Sequence, residues 1–181
     1  CLRLPAAANA DMDGNISVAG ALILGAGVWT VDGYLALGES GGGGASCDGG
    51  TVSLKAAGVT LVLSGSQTPG SGNCSGQAFC VANGYSNIFL TAPLTGTMAG
   101  LAVIGPQPAA NTSGVHWMGG GSNGQISGAF YFPNAHLQMT GGASMGGATG
   151  GCLQIVAARI TLSGGTAATS ECVASAAGGG S

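Results

Sequence analysis

Short segments of alternating apolar and polar residues recur along this chain at steps of about six or seven residues, and this spacing restricts its possible folds most. Alternation with period two is typical of a β-strand that buries one face, as at residues 15–18 and 159–163. No 3.6-residue helical stripe is present, so the pattern predicts an all-β chain. Such segments begin at Ile16, Leu22, Val28, Leu35, Val52, Val59, Phe130, Leu137, Leu153 and Ile160.

This step length favours a right-handed parallel β-helix, or β-solenoid. Each coil of such a fold holds about three short strands in roughly twenty residues, and successive coils hydrogen-bond to one another. The corners between strands need glycine, as at residues 25–27 and 57–58. A β-sandwich is the alternative, but its strands are usually longer and its turn signals lie about 8–12 residues apart.

The same rhythm sets the predicted domain limits. We place a single β-solenoid domain at residues 1–164 and a small-residue C-terminal tail at residues 165–181. Three stretches rich in Gly, Ser, Asn and Pro interrupt the rhythm, at residues 38–50, 64–76 and 105–114. We interpret them as loops inserted at coil corners.

Small, uncharged residues dominate the composition. Glycine supplies 38 of 181 residues, charged residues make up 5%, and the net charge is −3. Three cations, Arg3, Lys55 and Arg159, are too few to neutralise a track of phosphates, so nucleic acid is excluded as a partner. The longest apolar stretch, residues 18–31, is shorter than the ~20 residues of a membrane span and contains three glycines, so no membrane-spanning segment is expected.

The cysteines are the strongest indication of cellular compartment. They number six, at Cys1, Cys47, Cys74, Cys80, Cys152 and Cys172. An even number in a small chain predicts up to three disulfides and hence an oxidising compartment, such as the extracellular space. All pairings stay open, with a preference for Cys74–Cys80 and Cys152–Cys172 because each closes a Gly/Ser-rich loop. A zinc site is not expected, since no Cys-x-x-Cys occurs.

Acidic residues suggest two sites, each with a simpler structural interpretation. Residues 11–15, Asp-x-Asp-Gly-Asn, resemble part of a calcium loop, but the glycine is misplaced and no Glu follows at position twelve. We therefore expect a capped turn there. Asp32 and Glu39 are candidates for a glycosidase carboxylate pair. We expect instead that Asp32 caps the corner before Gly33.

The remaining candidates also favour structural roles. His116, at a loop-to-strand junction, and His136, on the exposed polar side of a strand, have no nearby acid or cysteine to orient them, and no Gly-x-Ser-x-Gly occurs. Trp29 and Trp117 lie in apolar runs and are expected to pack in the core. Residues 95–97 form a solitary Thr-x-Thr, whereas an ice-binding face needs a ladder of them. We predict no catalytic residue, cofactor or metal, and hence no enzyme.

The order of several short segments resembles a known family. The segments are residues 27–33 (GVWTVDG), 58–65 (GVTLVLSG), 90–93 (LTAP) with 99–101 (AGL), 128–134 (GAFYFPN), and 152–157 (CLQIVA) with 160–162 (ITL). Together they resemble the β-rich C-terminal region of TadG-like proteins of the tight-adherence (Flp) pilus-assembly group, over most of residues 15–164. The resemblance implies a bacterial, envelope-exposed protein without known enzymatic chemistry.

Three functions are compatible with these observations. The first is a non-enzymatic extracellular or cell-surface structural or adhesion protein associated with bacterial pili, with other pilus or envelope proteins as partners. The second is a self-assembling extracellular filament subunit, because uncapped solenoid ends offer strand edges to another copy. The third, ranked below both, is a glycan-binding β-helix protein, for which the sequence shows no row of exposed aromatic residues.

Overall fold

The computed structural model describes residues 1–38, 47, 53–107, 114–117, 122–147, 151–170 and 172. These residues form strands and no helix, which confirms the all-β prediction. The strands are β1 (Leu2–Leu4), β2 (Ala7–Met12), β3 (Ile16–Val18), β4 (Leu22–Leu24), β5 (Gly27–Val31), β6 (Leu35–Leu37), β7 (Leu54–Ala57), β8 (Val59–Leu63), β9 (Gln77–Val81), β10 (Ile88–Thr91), β11 (Leu101–Ile104), β12 (Gly114–Trp117), β13 (Asn123–Met139), β14 (Ser144–Gly146), β15 (Leu153–Leu162) and β16 (Ala167–Thr169).

Several sequence predictions fall outside the described residues. They are Glu39, the strand start at Val52, most of the predicted loops at residues 38–50 and 105–114, and the chain after residue 172. Within the described part, Ala167–Thr169 form strand β16, beyond the predicted domain limit at residue 164. A strand therefore lies within the segment predicted as a tail.

Every described strand pair is parallel, and the pairs join the strands into three stacks. The first stack runs β1, β4, β7, β10, the start of β13, β14 and β16. The second runs β2, β5, β8, β11, the middle of β13 and the first half of β15. The third runs β3, β6, β9, β12 and the ends of β13 and β15. An antiparallel sandwich does not agree with these pairs.

Two pairs of predicted strands are merged in the structure. The segments beginning at Phe130 and Leu137 belong to one strand, β13, and those at Leu153 and Ile160 belong to β15. The predicted corner between these segments corresponds to a break in the pairing of β13 with β15, between Phe132 and His136. The two strands are paired on both sides of this break, at Phe132 with Ala157 and again at His136 with Arg159.

Close approach of a side chain explains one corner glycine. A Cβ atom at Gly33 would lie 1.7 Å from Asn15 Oδ1. That oxygen accepts a hydrogen bond from the Tyr34 backbone N–H at 3.2 Å, and Asn15 Nδ2 donates to Gln67 Oε1 at 2.9 Å. Glycine at this corner therefore permits an amide side chain to join two neighbouring turns.

Apolar ladders fill the space between the stacks. Alternate side chains of each strand point inward, and register places the inward side chains of successive strands one above another. In the third stack the two inward ladders are Ile16–Leu35–Phe79–Val115–Leu137–Ile160 and Val18–Leu37–Val81–Trp117–Met139–Leu162. Trp29 and Trp117 are buried in this core, as predicted.

Aromatic rings form the centre of the core. The Phe79 ring centroid lies 6.0 Å from that of Trp117 and 5.3 Å from that of Phe130, and the Phe130 and Phe132 centroids are 4.7 Å apart. Edge-to-face and offset contacts at such distances add to the stabilisation from burial. These four aromatic side chains therefore form one cluster inside the core.

Three disulfides join irregular segments to the stacks. The structure pairs Cys74 with Cys80 and Cys152 with Cys172, which are the two pairings that the sequence favoured, and Cys1 with Cys47. The Cα atoms of the pairs are 4.3–5.6 Å apart, within the usual range for two pairs and at its lower limit for the third. Two of the bridges lie at the two ends of the stacks, beside β1 and β15.

Candidate assembly surfaces at the two ends of the sheet

The last strand of the second and third stacks leaves its inward side chains open. Among the described residues β15 pairs with β13 alone. Ile160 and Leu162 continue ladders that are buried at the preceding β13 level, at Leu137 and Met139, yet 47% and 48% of their surface is exposed. We call the following four residues the C-terminal end surface: Ile155, Ala157, Ile160 and Leu162.

The first strands of the same two stacks form the opposite end. In the described part of the chain β2 pairs with β5 alone, and β3 with β6 alone. Their inward residues start the same ladders, and three of the four are only half-buried. We call the following four residues the N-terminal end surface: Ala10, Met12, Ile16 and Val18.

The two end surfaces are complementary in register and in charge. Because the same four ladders begin and end there, a second copy placed on the C-terminal end continues all four ladders with apolar side chains. Arg159 directly precedes Ile160, and Asn15 directly precedes Ile16. In a stack of two copies, Arg159 of one copy would therefore lie above Asn15 of the next copy, close to Asp13. Arg159 and Asp13 are both exposed. This placement of Arg159 near Asp13 favours head-to-tail contact.

One strand breaks the match between the ends. Among the described strands the first stack has one more than the other two, namely β16, which pairs with β14. All three β16 residues are exposed, and the Cys152–Cys172 disulfide holds the chain that follows. β16 therefore occupies the position that β1 of a stacked copy would take. It acts as a cap on one of the three stacks.

The histidines lie on the outer side of the third stack. Arg159 Nη2 donates to His136 Nδ1 at 2.9 Å, so the neutral ring carries its proton on Nε2, 2.9 Å from Thr161 Oγ1. Partial burial and then the Arg159 charge lower the pKa of His136. His136 is half-buried rather than exposed as predicted, since Arg159 and Thr161 on β15 cover it. Sequence spacing gave no signal for this contact across 23 residues.

The sequence indicated that His116 lies at a loop-to-strand junction. In the structure His116 lies within β12. Its Nε2 has no hydrogen-bond partner among the described residues. Burial lowers the pKa of His116, a hydrogen bond with the backbone of Asn73 opposes this, and the His136 charge lowers it further. The folded structure therefore favours the neutral form of both imidazoles.

The acidic candidates that the structure describes, Asp11, Asp13 and Asp32, do not form a metal site. Asp11 lies in β2, so the predicted turn at residues 11–15 is confined to Asp13 and Gly14. No group of three His, Cys, Asp or Glu side chains that could hold a metal ion occurs among the described residues. Asp32 lies at the expected corner. Its backbone carbonyl oxygen accepts hydrogen bonds there from the hydroxyls of Ser64 and Ser66.

A cavity of about 680 Å³ lies at the corner between the first and second stacks. Its lining offers the hydroxyls of Thr91 and Ser127 and the exposed apolar side chain of Leu94, without a titratable side chain among the described residues. Residues 95–97 line a neighbouring depression of about 320 Å³. The described walls of both cavities are therefore suited to contact and not to proton transfer.

No protein-family model, curated protein or solved structure matches this chain. The described residues include no helix with the length and hydrophobicity needed to cross a membrane. The geometry of the end surfaces is thus the main basis for assigning a function.

Proposed function

We propose that this chain is a non-enzymatic extracellular structural protein that polymerises end to end, each copy extending the parallel stacks of the next. The main support for the proposal is the exposure of Ile160 and Leu162 on β15. The residues at the same ladder positions on the preceding strand β13, Leu137 and Met139, are buried. Repeat proteins that stay monomeric usually cover their terminal repeats with polar residues. Apolar end surfaces are what a subunit of a continuous stack requires.

The same proposal includes the coil geometry. We infer that the three stacks wind as a right-handed β-helix with about three strands per coil. Support comes from the order in which the chain visits the stacks, first, second and third in rotation, with parallel neighbours throughout the described strands. Parallel strands joined by a crossover are right-handed in about 98% of cases.

Energetics favour association at these ends. Strand edges carry backbone N–H and C=O groups that a second copy can pair. Burial of the apolar end surfaces adds roughly 25 cal/mol for each Å² removed from water. Charged residues are only 5% of the chain, so repulsion between copies is weak. Because the two end surfaces differ, the contact is head-to-tail and produces an open filament.

Location and partners follow from separate observations. Three disulfides favour an oxidising, extracellular environment. The resemblance to TadG-like proteins supports a place on the bacterial surface, in association with pili. A filament and a pilus-associated protein are compatible, since both present a rigid, repetitive surface outside the cell.

A single substitution tests the assembly. We expect purified chain to form unbranched fibres in negative-stain images as its concentration is raised. Leu162→Lys places a charge on the C-terminal end surface and should leave monomers with unchanged thermal unfolding. Gln125→Lys adds the same charge to an exposed outward position of β13 and should leave the fibres intact. Wild-type chain that stays monomeric at all accessible concentrations, or Leu162→Lys chain that forms fibres normally, would contradict the proposal.

A further inference from the structure

An aromatic side chain is exposed on the outer face of the first stack. Phe89 lies in β10 between the buried Ile88 and Leu90 and exposes 37% of its surface. Its ladder neighbours are Lys55 on β7 and Gln125 on β13, both exposed. An exposed aromatic ring between a cation and an amide on a flat sheet provides a surface for a ligand that has both apolar and polar faces.

A polar depression of about 370 Å³ adjoins this ring. Gly146 is the next residue after Gln125 in the ladder. Because glycine has no side chain, the depression lies open at this position. The side chains around it are amides and hydroxyls, from Asn87, Asn123, Gln125, Ser144 and Thr169. Such groups both donate and accept hydrogen bonds, as sugar hydroxyls require.

The depression has a fixed wall. The Asn87 backbone N–H donates to Asn123 Oδ1 at 2.8 Å, which orients the Asn123 amide. Asn87 is the one described residue other than glycine with a positive φ, 58°. A backbone in this region is uncommon outside glycine, and asparagine tolerates it best. The corner before β10 therefore holds its amides in a defined arrangement.

Charge on this face favours an acidic ligand. Lys55 is exposed there, whereas the described carboxylates, Asp11, Asp13 and Asp32, lie on the second stack or the corner that follows it. Lys55, Phe89 and Gln125 occupy three successive strands, about 4.8 Å apart. This spacing is close to the length of one ring in an extended sugar chain.

We propose that the outer face of the first stack binds an extended acidic oligosaccharide. The Lys55 ammonium pairs with a sugar carboxylate, the next sugar ring packs its C–H face on Phe89, and the amides of Asn123 and Gln125 bind hydroxyl groups of the ring after that. The site involves neither end surface, and the side chains that contact the sugar lie on β7, β10 and β13 and not on β16.

Calorimetry with defined oligosaccharides tests the site. The probes are a galacturonic acid hexamer and a neutral cellulose hexamer, titrated into Leu162→Lys chain so that assembly does not interfere. We expect saturable binding of the acidic hexamer that weakens with added salt. Lys55→Gln and Phe89→Ala should each weaken it about tenfold or more, as the loss of a charged hydrogen bond or of an aromatic contact does.

Matched substitutions on other faces serve as controls. Arg159→Gln removes the same charge from β15, and Tyr131→Ala removes an outward aromatic ring from β13. Neither should change binding. The proposal is overturned if the acidic hexamer does not bind saturably, if the neutral hexamer binds equally well, or if the Lys55 and Phe89 variants behave like the controls.

Discussion

Individual residues in the core are matched in volume to their neighbours. Gly124 occupies an inward position of the first stack, where the neighbouring strand has Ile88. A Cβ atom at Gly124 would lie 2.6 Å from Cζ2 of Trp117. The absence of a side chain in one stack thus makes room for the largest side chain of another.

This match predicts the effect of adding one methyl group. Gly124→Ala should lower the free energy of unfolding by about 1–3 kcal/mol, because overpacking forces the buried Trp117 ring to shift. Urea unfolding measures the change. Gly70→Ala is the control, since a Cβ atom there meets no neighbour within 4 Å. Equal stabilities for the two variants would contradict the packing account.

The histidines predict the direction of pH dependence. The folded state lowers the pKa of His116 and His136, so the unfolded chain, with a His pKa near ~6.5, binds more protons below that pH. Stability should therefore be greatest above about pH 7 and fall as the pH decreases toward about 5. Thermal unfolding across this range measures it. His136→Gln should flatten the profile, and a melting temperature that rises on acidification would contradict the account.

At the scale of strands, β16 decides how readily the ends can meet. It holds the position that β1 of the next copy needs, and it contributes three small exposed residues to the first stack. The Cys152–Cys172 disulfide keeps it in place. Assembly therefore requires β16 to detach from β14.

Removal of this disulfide should promote assembly. We expect the double variant Cys152→Ser, Cys172→Ser to form fibres at a several-fold lower concentration than wild type, because the cap is released more easily. The double variant Cys74→Ser, Cys80→Ser removes a disulfide away from the ends and should not share the effect. Light scattering against concentration measures the threshold. Identical thresholds for the two variants would exclude β16 as a cap.

Strands were predictable where alternation is undisturbed. The segments from Ile16, Leu22, Val28, Leu35 and Val59 all lie in described strands, since local sequence determines which face is buried. Others were missed. β2 has the sequence AANADM, in which the alternation is weak, and β16 consists of AAT, in which no apolar contrast exists.

At the scale of the whole molecule, register determines the candidate sites, and register is not visible in the sequence. The pairing of Lys55 with Phe89 spans 34 positions, and that of His136 with Arg159 spans 23. Both depend on the lengths of the segments between successive strands of a stack, which no periodicity encodes. The openness of the ends likewise depends on which strands come first and last in each stack.

Cryo-electron microscopy of the fibres tests the central claim most directly. Two stacks of six strands predict an axial rise of about 29 Å per subunit, with strands perpendicular to the fibre axis. Ile160 and Leu162 of one copy should lie against Ile16 and Val18 of the next. Fibres in which copies associate side by side, with these four residues still exposed to solvent, would contradict end-to-end stacking.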